Sequence, residues 1–172
     1  MTGHNSLDTA RKLYLRDGRA PLPLRESTSR VMSANRAKNT GPEKSLRRGL
    51  SRAGVRGYRL HPRSVPGRPD VIFPSSRVAI FVNGCFWHSC PKCNLPVPRS
   101  HSAFWRAKFQ RNRERDAAKT AQLKATGWTV LTLWECEIVA DSDRAARRVQ
   151  SLLERARRSP GPRARVDHVK PS

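Results

Sequence analysis

The sequence predicts a single α/β domain built from one sheet and several helices. Short apolar runs rich in strand-forming residues alternate with longer segments of helical periodicity. The chain has 172 residues, enough for one buried core and too few for a comfortable second domain. We expect this domain at residues 28–157, between a flexible basic leader (1–27) and a disordered basic tail (158–172).

The first helix has three start signals at Thr40–Glu43. Thr40 offers a capping hydroxyl, Pro42 suits an early helical position, and Glu43 follows Thr40 by three residues as in a capping box. These signals predict a helix from Pro42 to about Ala53, which Gly54 ends. Glu43 therefore has two open interpretations, as a capping residue or as part of a functional site.

The next segments predict strands. Gly57–His61 alternates weakly, and two apolar runs follow, Asp70–Phe73 and Val78–Val82. The turn between these runs, Pro74–Arg77, predicts a hairpin or neighbouring strands of one sheet. An antiparallel pair would put Asp70 beside the far end of the second strand.

The C-terminal half predicts helix, strand and helix in turn. Ser100–Thr126 is polar with helical periodicity and precedes Gly127. Trp128–Trp134 alternates and is rich in strand formers, and a last helix is expected at about Asp143–Arg157.

Charge indicates a polyanionic partner. Lys and Arg total 35 against 13 Asp and Glu, a formal net charge of +22. Nucleic acid is the leading candidate, and the alternatives are a ribosomal-type RNA binder or a generally basic surface. The sequence has no signal-peptide pattern and no run long enough to span a membrane, so we expect a cytoplasmic protein without membrane contact.

Four cysteines have spacing typical of metal ligands. They are Cys85, Cys90, Cys93 and Cys136. In a reducing compartment such spacing favours zinc over disulfides, and Cys85 and Cys136 each follow an apolar strand. We expect a closed structural zinc site if those strands adjoin; the alternative is a set of buried free thiols.

Two polar residues near the cysteines are candidates for catalysis. Asp70 begins a buried strand, where Mg²⁺ would offset the cost of an unpaired carboxylate; a salt bridge to Arg68 is the rival interpretation. His88 lies between two expected zinc ligands. It is interpreted as a general base or proton donor, or alternatively as a zinc ligand or a packing residue.

Three aromatic residues stand among basic ones. Phe86, Trp87 and Trp105 are candidates for wedges between base steps of a nucleic acid. Core packing is the alternative.

A series of motifs along residues 27–155 resembles the very short patch repair (Vsr) DNA mismatch endonucleases, in order and with matching spacing. The main motifs are Pro66–Asp70, Phe81–His88, Phe104–Trp105, Asn112–Asp116, and Gly127–Trp128 running to Trp134–Cys136. The resemblance implies a fold related to type II restriction endonucleases, with a mixed central sheet flanked by helices and a structural zinc. It also implies nicking of double-stranded DNA on the 5′ side of the thymine in a T:G mismatch produced by deamination of 5-methylcytosine.

The resemblance further implies roles for individual residues. Asp70 would ligate Mg²⁺ through its carboxylate, and Val82 through its backbone carbonyl. His88 would activate the attacking water, and Glu43 would organise the metal-bound waters. The remaining matches are the intercalating aromatics Phe86, Trp87 and Trp105, and the zinc ligands Cys85, Cys90, Cys93 and Cys136. A monomer suffices for an asymmetric lesion, and mismatch-repair proteins or a cytosine methyltransferase are candidate partners.

The chain departs from the family pattern in two places. Asn83 stands where a second active-site histidine occurs, and an amide is limited to hydrogen bonding. Cys90 stands where a histidine can bind zinc, but a thiolate is an equally good donor. The chain also lacks the Glu-x-Lys expected after Asp70 in ordinary relatives of the restriction fold. Two other functions stay open: a zinc-stapled nucleic-acid-binding protein without catalysis, and a restriction-type nuclease acting on matched DNA.

Overall fold

The computed structural model of the protein describes residues 38–99 and 101–158. The predicted leader, and the tail beyond Arg158, lie outside the described residues. The elements, in chain order, are helix α1 (Gly41–Arg52), strands β1 (Arg59–Leu60), β2 (Val71–Phe73) and β3 (Val78–Asn83), helix α2 (Ser102–Ala125), strand β4 (Thr129–Trp134), and helices α3 (Glu135–Ala140) and α4 (Ser142–Arg158). The prediction of an α/β domain is confirmed as a mixed sheet flanked by helices.

The four strands form one sheet in the order β1-β2-β3-β4. β2 and β3 pair antiparallel, as the hairpin prediction required, and a short 3-10 turn at Pro74–Ser76 joins them. Arg77 closes that turn with a left-handed φ of 48°. β3 and β4 pair in parallel, with Asn83 opposite Trp134. The strand predicted at Gly57–His61 is shorter, only Arg59–Leu60, and it pairs antiparallel with β2.

Each face of the sheet packs against its own helices. Alternate residues of a strand point to opposite faces, so every inner strand contributes to both cores. The larger core joins the sheet to α1, α3 and α4, and its fully buried members include Leu46, Leu50, Val78, Ile80, Leu133, Ile138, Ala146 and Val149. The smaller core joins the other face to α2 through Val65, Ile72, Ala79 and Leu123.

Helix α1 begins at the predicted capping box. The Thr40 hydroxyl accepts the Glu43 N–H, and the Glu43 carboxylate accepts the Thr40 N–H. Further along, Gly49 lets α1 approach α4 closely, since a Cβ there would lie 2.5 Å from the Ser142 carbonyl oxygen. At the start of α1, the Glu43 carboxylate lies 3.1 Å from the ring of His61, the residue that follows β1.

Helix α3 was not predicted. It begins at Glu135, directly after β4, and the Glu137 carboxylate accepts the Trp134 N–H at its start. This turn of chain carries Cys136 away from the strand end. Among the helices in the described part of the chain, none has the length and apolar character needed to cross a membrane.

Candidate functional site

Asp70 lies at the open end of the β2–β3 hairpin, just before β2 and beside Val82 of β3. Its N–H donates to the Ile80 carbonyl at 3.0 Å, and its Oδ2 accepts the Val82 N–H at 2.8 Å. Burial raises the pKa of the Asp70 carboxyl above its ordinary value, and the negative charge of Glu43 adds to that effect. The Val82 hydrogen bond opposes the rise without cancelling it. A carboxylate in this position is stabilised by a cation.

The backbone of Val82 faces the same place. In a strand, residues two apart direct their N–H and C=O groups to the same side. Ile80 turns its carbonyl toward Asp70, and the Val82 N–H reaches the Asp70 carboxylate. The Val82 carbonyl therefore points to the Asp70 side of β3, beyond the start of β2.

Three side chains meet around this point and form a cluster, here called the Glu43–His61–Asp70 cluster. One potential ligand atom from each lies within 4.8 Å of the others. His61 Nε2 is 3.1 Å from Glu43 Oε2, and His61 Nδ1 is 3.8 Å from Asp70 Oδ1. The cluster draws on α1, the residue after β1, and the residue before β2. It has the donors that a divalent cation uses, two carboxylates and an imidazole.

Glu43 caps α1, and its carboxylate also faces the cluster. Its carboxylate caps α1 by accepting the N–H groups of Asn39 and Thr40, at 3.0 and 3.3 Å. The residue is only 5% exposed, and the same carboxylate faces His61. The capping bonds fix its orientation toward the cluster.

His88 is held by helix α2 rather than by the cluster. Its ring Nδ1 makes a very short hydrogen bond with Asp116 Oδ2. Its backbone N–H donates to the Gly84 carbonyl at 3.2 Å. Asn112 donates to the Trp87 carbonyl at 2.7 Å and so ties the same turn to α2. Asn112 and Asp116 are four residues apart, one helical turn, so they lie on one face of α2. This face fixes the position of the His88 ring.

Asn83 and His88 line one cavity of about 610 Å³, together with Asp116. A smaller recess is lined by Asn83, Asp116 and Lys119. The positive charge of Lys119 also acts on Asp70, where it partly offsets the effect of burial on the carboxyl pKa. Among the described residues, the potential ligands that converge with Asp70 do not include His88. Lys119 thus relates the recess to Asp70, while His88 is not part of the Glu43–His61–Asp70 cluster.

All four cysteines come together as predicted, because β3 and β4 are neighbours. Their sulfur atoms lie within 4.8 Å of one another, and Cys90 Sγ is 3.8 Å from Cys136 Sγ. Two thiolates bound tetrahedrally to one zinc at ~2.3 Å lie roughly 3.8 Å apart, so this spacing fits the ion. No disulfide joins them.

The local backbone suits thiolate chemistry at the knuckle. Burial alone would raise the pKa of Cys90, but the N–H groups of Cys93 and Lys92 hold that pKa below its ordinary value. Burial raises the pKa of the Cys85 thiol, which would stay protonated without a metal. A bound cation would favour the thiolate at both positions.

The aromatic residues form a packed group around the start of α2. The ring centroid of Phe86 lies 5.1 Å from that of Trp87, 5.3 Å from that of Trp105 and 5.3 Å from that of Phe109. Trp105 is buried, at 6% exposure, whereas Phe86 and Trp87 are half-buried. The three predicted wedge residues thus share one cluster, and Phe86 and Trp87 are its more accessible members.

Sequence reasoning missed two residues of the site. His61 was treated only as the end of a weak strand, and its approach to Glu43 depends on where α1 lies. Asp116 was noted within a motif but given no role. Its signal was present, since Trp105, Phe109, Asn112 and Asp116 recur at intervals of four, three and four residues, the spacing of one helix face.

A family profile and individual relatives point to the same family. The profile described as DNA mismatch endonuclease Vsr matches residues 24–95. The Type II nicking enzyme V.XorIIP of Xanthomonas oryzae pv. oryzae is 42% identical over 125 residues, which are 72% of this chain and 90% of that protein. The Type II nicking enzyme V.NaeI of Lentzea aerocolonigenes is 37% identical, over 83% of this chain and 87% of that protein.

The DNA mismatch endonuclease Vsr of Escherichia coli K12 is also similar. It is 37% identical over 110 residues, which are 64% of this chain and 70% of that protein. The match to V.NaeI covers 147 residues, more of the chain than the profile match over residues 24–95.

Proposed function

The chain belongs to the family of Vsr DNA mismatch endonucleases, and we propose that it nicks one DNA strand on the 5′ side of the thymine in a T:G mispair. The mispair arises when 5-methylcytosine is deaminated, and the nick would initiate very short patch repair. The activity would reside in the domain of residues 28–157, with a fold related to restriction endonucleases, acting as a monomer. The family assignment makes the protein a nuclease that acts on DNA.

One observation carries the proposal: Asp70 and Glu43 converge in a largely buried cluster at the end of the sheet from which the His88 turn departs. Hydrolysis of a phosphodiester requires positive charge near the phosphate and a base near the attacking water. The cluster and His88 offer sites for these two requirements.

The cluster fits a divalent cation. The pKa of Asp70 is raised by burial, and the buried His61 Nε2 has no hydrogen-bond partner among the described residues. Mg²⁺ would be held by the Asp70 carboxylate and the Val82 carbonyl, with Glu43 orienting water near it. When bound, the ion supplies stabilisation of the negative charge that builds on the phosphate.

His88 would take the proton from the attacking water. Asp116 accepts a hydrogen bond from the Nδ1–H of His88. Nε2, on the other side of the ring, is then the nitrogen that can take a proton. Asn83 lines the same cavity and would contribute a hydrogen bond only. One base is therefore proposed in place of two histidines.

The four cysteines would hold a structural zinc with no open position. The donor set and the 3.8 Å sulfur spacing support this assignment. The zinc would hold the end of β3, the knuckle and the start of α3 together, and so keep the His88 turn rigid.

Binding would combine charge and aromatic contact. The net charge of +22 favours association with the phosphate backbone. Phe86, Trp87 and Trp105 are proposed to contact the bases beside the mispair, led by the two half-buried rings. Opening of the aromatic cluster would be needed before Trp105 reaches the DNA, because it is buried.

A nicking assay tests the proposal. End-labelled duplexes that differ only in a T:G or T:A pair are incubated with the zinc-loaded protein, with and without Mg²⁺. We expect nicking of the T:G duplex alone, only with Mg²⁺, and a loss on the order of 10³-fold in Asp70→Asn.

Asp143→Asn is the matched control. Its carboxylate pairs with Arg52 at the surface, both side chains about half exposed, so its loss should cost little. Equal cutting of the T:A duplex would favour a nuclease on matched DNA. Binding of T:G duplex with no nicking by the wild-type protein would favour the non-catalytic alternative.

A further inference from the structure

His61 occupies an unusual position for a residue after a short strand. Its N–H donates to the Asp70 carbonyl at 3.1 Å, which extends the β1–β2 pairing by one residue. Its φ is +45°, in the left-handed region that only a few per cent of non-glycine residues occupy. This backbone directs the ring between the carboxylates of Asp70 and Glu43.

The His61 ring is mostly buried, and the hydrogen bonding of one of its nitrogens is incomplete. The His61 side chain is 16% exposed, and its Nε2 makes no hydrogen bond within the described part of the chain. Glu43 Oε2 lies 3.1 Å away, but the orientation is not that of a hydrogen bond. Burial of a polar atom without a partner is unfavourable, so a partner outside the protein is favoured at this atom.

The geometry of the cluster fits a shared ion. Neighbouring ligands of an octahedral ion at ~2.1 Å lie about 3.0 Å apart. The separation of 3.1 Å between His61 Nε2 and Glu43 Oε2 matches that value, which would place Glu43 Oε2 on the ion itself, in addition to the orientation of water proposed above. Glu43 is fixed by its capping bonds, so the two atoms are held at this spacing before any ion arrives.

We propose that His61 Nε2 is a direct ligand of the divalent ion held between Glu43 and Asp70, and that it makes the site prefer Mn²⁺ over Mg²⁺. Mg²⁺ favours oxygen ligands, whereas an imidazole nitrogen adds affinity for first-row transition metals. The inference rests on the proposed metal-dependent function and goes beyond it by assigning a third side chain and a metal preference.

Spectroscopy of Mn²⁺ bound to the full-length, zinc-loaded protein tests the inference without using activity. A nitrogen bound directly to Mn²⁺ gives hyperfine coupling in pulsed electron paramagnetic resonance. We expect that coupling in the wild-type protein and its loss in His61→Gln. The same substitution should weaken Mn²⁺ binding by roughly 10–100-fold and Mg²⁺ binding by less.

His101→Gln is the matched control, since His101 does not belong to the cluster. It should keep both the nitrogen coupling and the Mn²⁺ affinity. Nitrogen coupling that persists in His61→Gln would overturn the inference, and so would its absence from Mn²⁺-bound wild type, a result that needs no variant to fold.

The inference and the proposed function fail in different ways. If Asp70→Asn loses both Mn²⁺ binding and T:G nicking while His61→Gln retains the coupling, the proposed function stands and the role of His61 is wrong. If the wild-type protein nicks without any divalent ion, the proposed function is wrong whatever the spectrum shows.

Discussion

The two clusters of potential metal ligands differ in the chemistry of their donor atoms. The cysteine cluster has four sulfur donors, two of them from the buried residues Cys85 and Cys90. The Glu43–His61–Asp70 cluster has two carboxylates and one imidazole, and a divalent ion held there would take water or phosphate as its remaining ligands. The first is suited to hold structure, and the second to hold a substrate.

The clusters also differ in what their residues do without a metal. Glu43 already caps α1, and Asp70 already accepts the Val82 N–H. The bonds at the cysteine sulfurs come from nearby backbone instead: Cys136 donates its N–H to Cys85 Sγ at 3.3 Å, and the N–H groups of Cys93 and Lys92 face Cys90 Sγ. We therefore expect the fold to depend on a metal at the cysteines and to tolerate its absence at the carboxylates.

The largest effect should follow from removing a thiol. Cys136→Ser replaces one of four soft ligands, and binding of a structural zinc contributes folding energy of about 10 kcal/mol or more. We expect loss of zinc and of cooperative thermal unfolding together, measured by elemental analysis and circular dichroism. A folded Cys136→Ser protein without zinc would show that the cysteine cluster is not a structural centre.

A smaller effect should follow at the His88 turn, between the two clusters. Asp116→Asn keeps the size of the side chain but changes the partner of His88 Nδ1. We expect T:G nicking to fall by about 10–100-fold through poorer orientation of the base, with zinc content and thermal midpoint unchanged. Asp143→Asn is again the control. A wild-type rate in Asp116→Asn would remove this residue from the account.

The smallest effect should be the change in stability when a carboxylate of the Glu43–His61–Asp70 cluster is replaced. Unlike Cys136→Ser, this replacement should not destabilise the protein. Because burial raises the folded-state pKa of Asp70 above 3.8, its stabilising contribution is complete below that pH and is lost as pH rises through the raised value. Asp70→Asn should therefore unfold at the same or higher denaturant concentration than wild type at neutral pH, without divalent ions. Marked destabilisation would show that Asp70 is structural.

Much of the fold followed from local sequence signals. The capping box at Thr40 and the hairpin around Pro74 depend on residues close together in the chain, so their patterns determine them. The prediction that the cysteines meet depended on β3 and β4 being neighbours, and the structure meets that condition.

The rest of the site depends on packing between distant segments. His61 joins the cluster only because α1 sets Glu43 over the end of β1, and no pattern near His61 records that. Helix α3 is six residues long and follows β4 without a turn, so it lacked a distinct start signal. Asp116 was within reach of prediction, because its helix face is marked by aromatic residues.

The central claim is that one chain holds two metals for two purposes, zinc for structure and a divalent cation for nicking. Anomalous diffraction from crystals of the zinc-loaded protein soaked in Mn²⁺ tests it most directly. We predict a zinc-edge peak between the sulfurs of Cys85, Cys90, Cys93 and Cys136, and a separate manganese peak bounded by Glu43, His61 and Asp70. Manganese beside His88 with none at Asp70, or a cysteine cluster without zinc, would contradict the account.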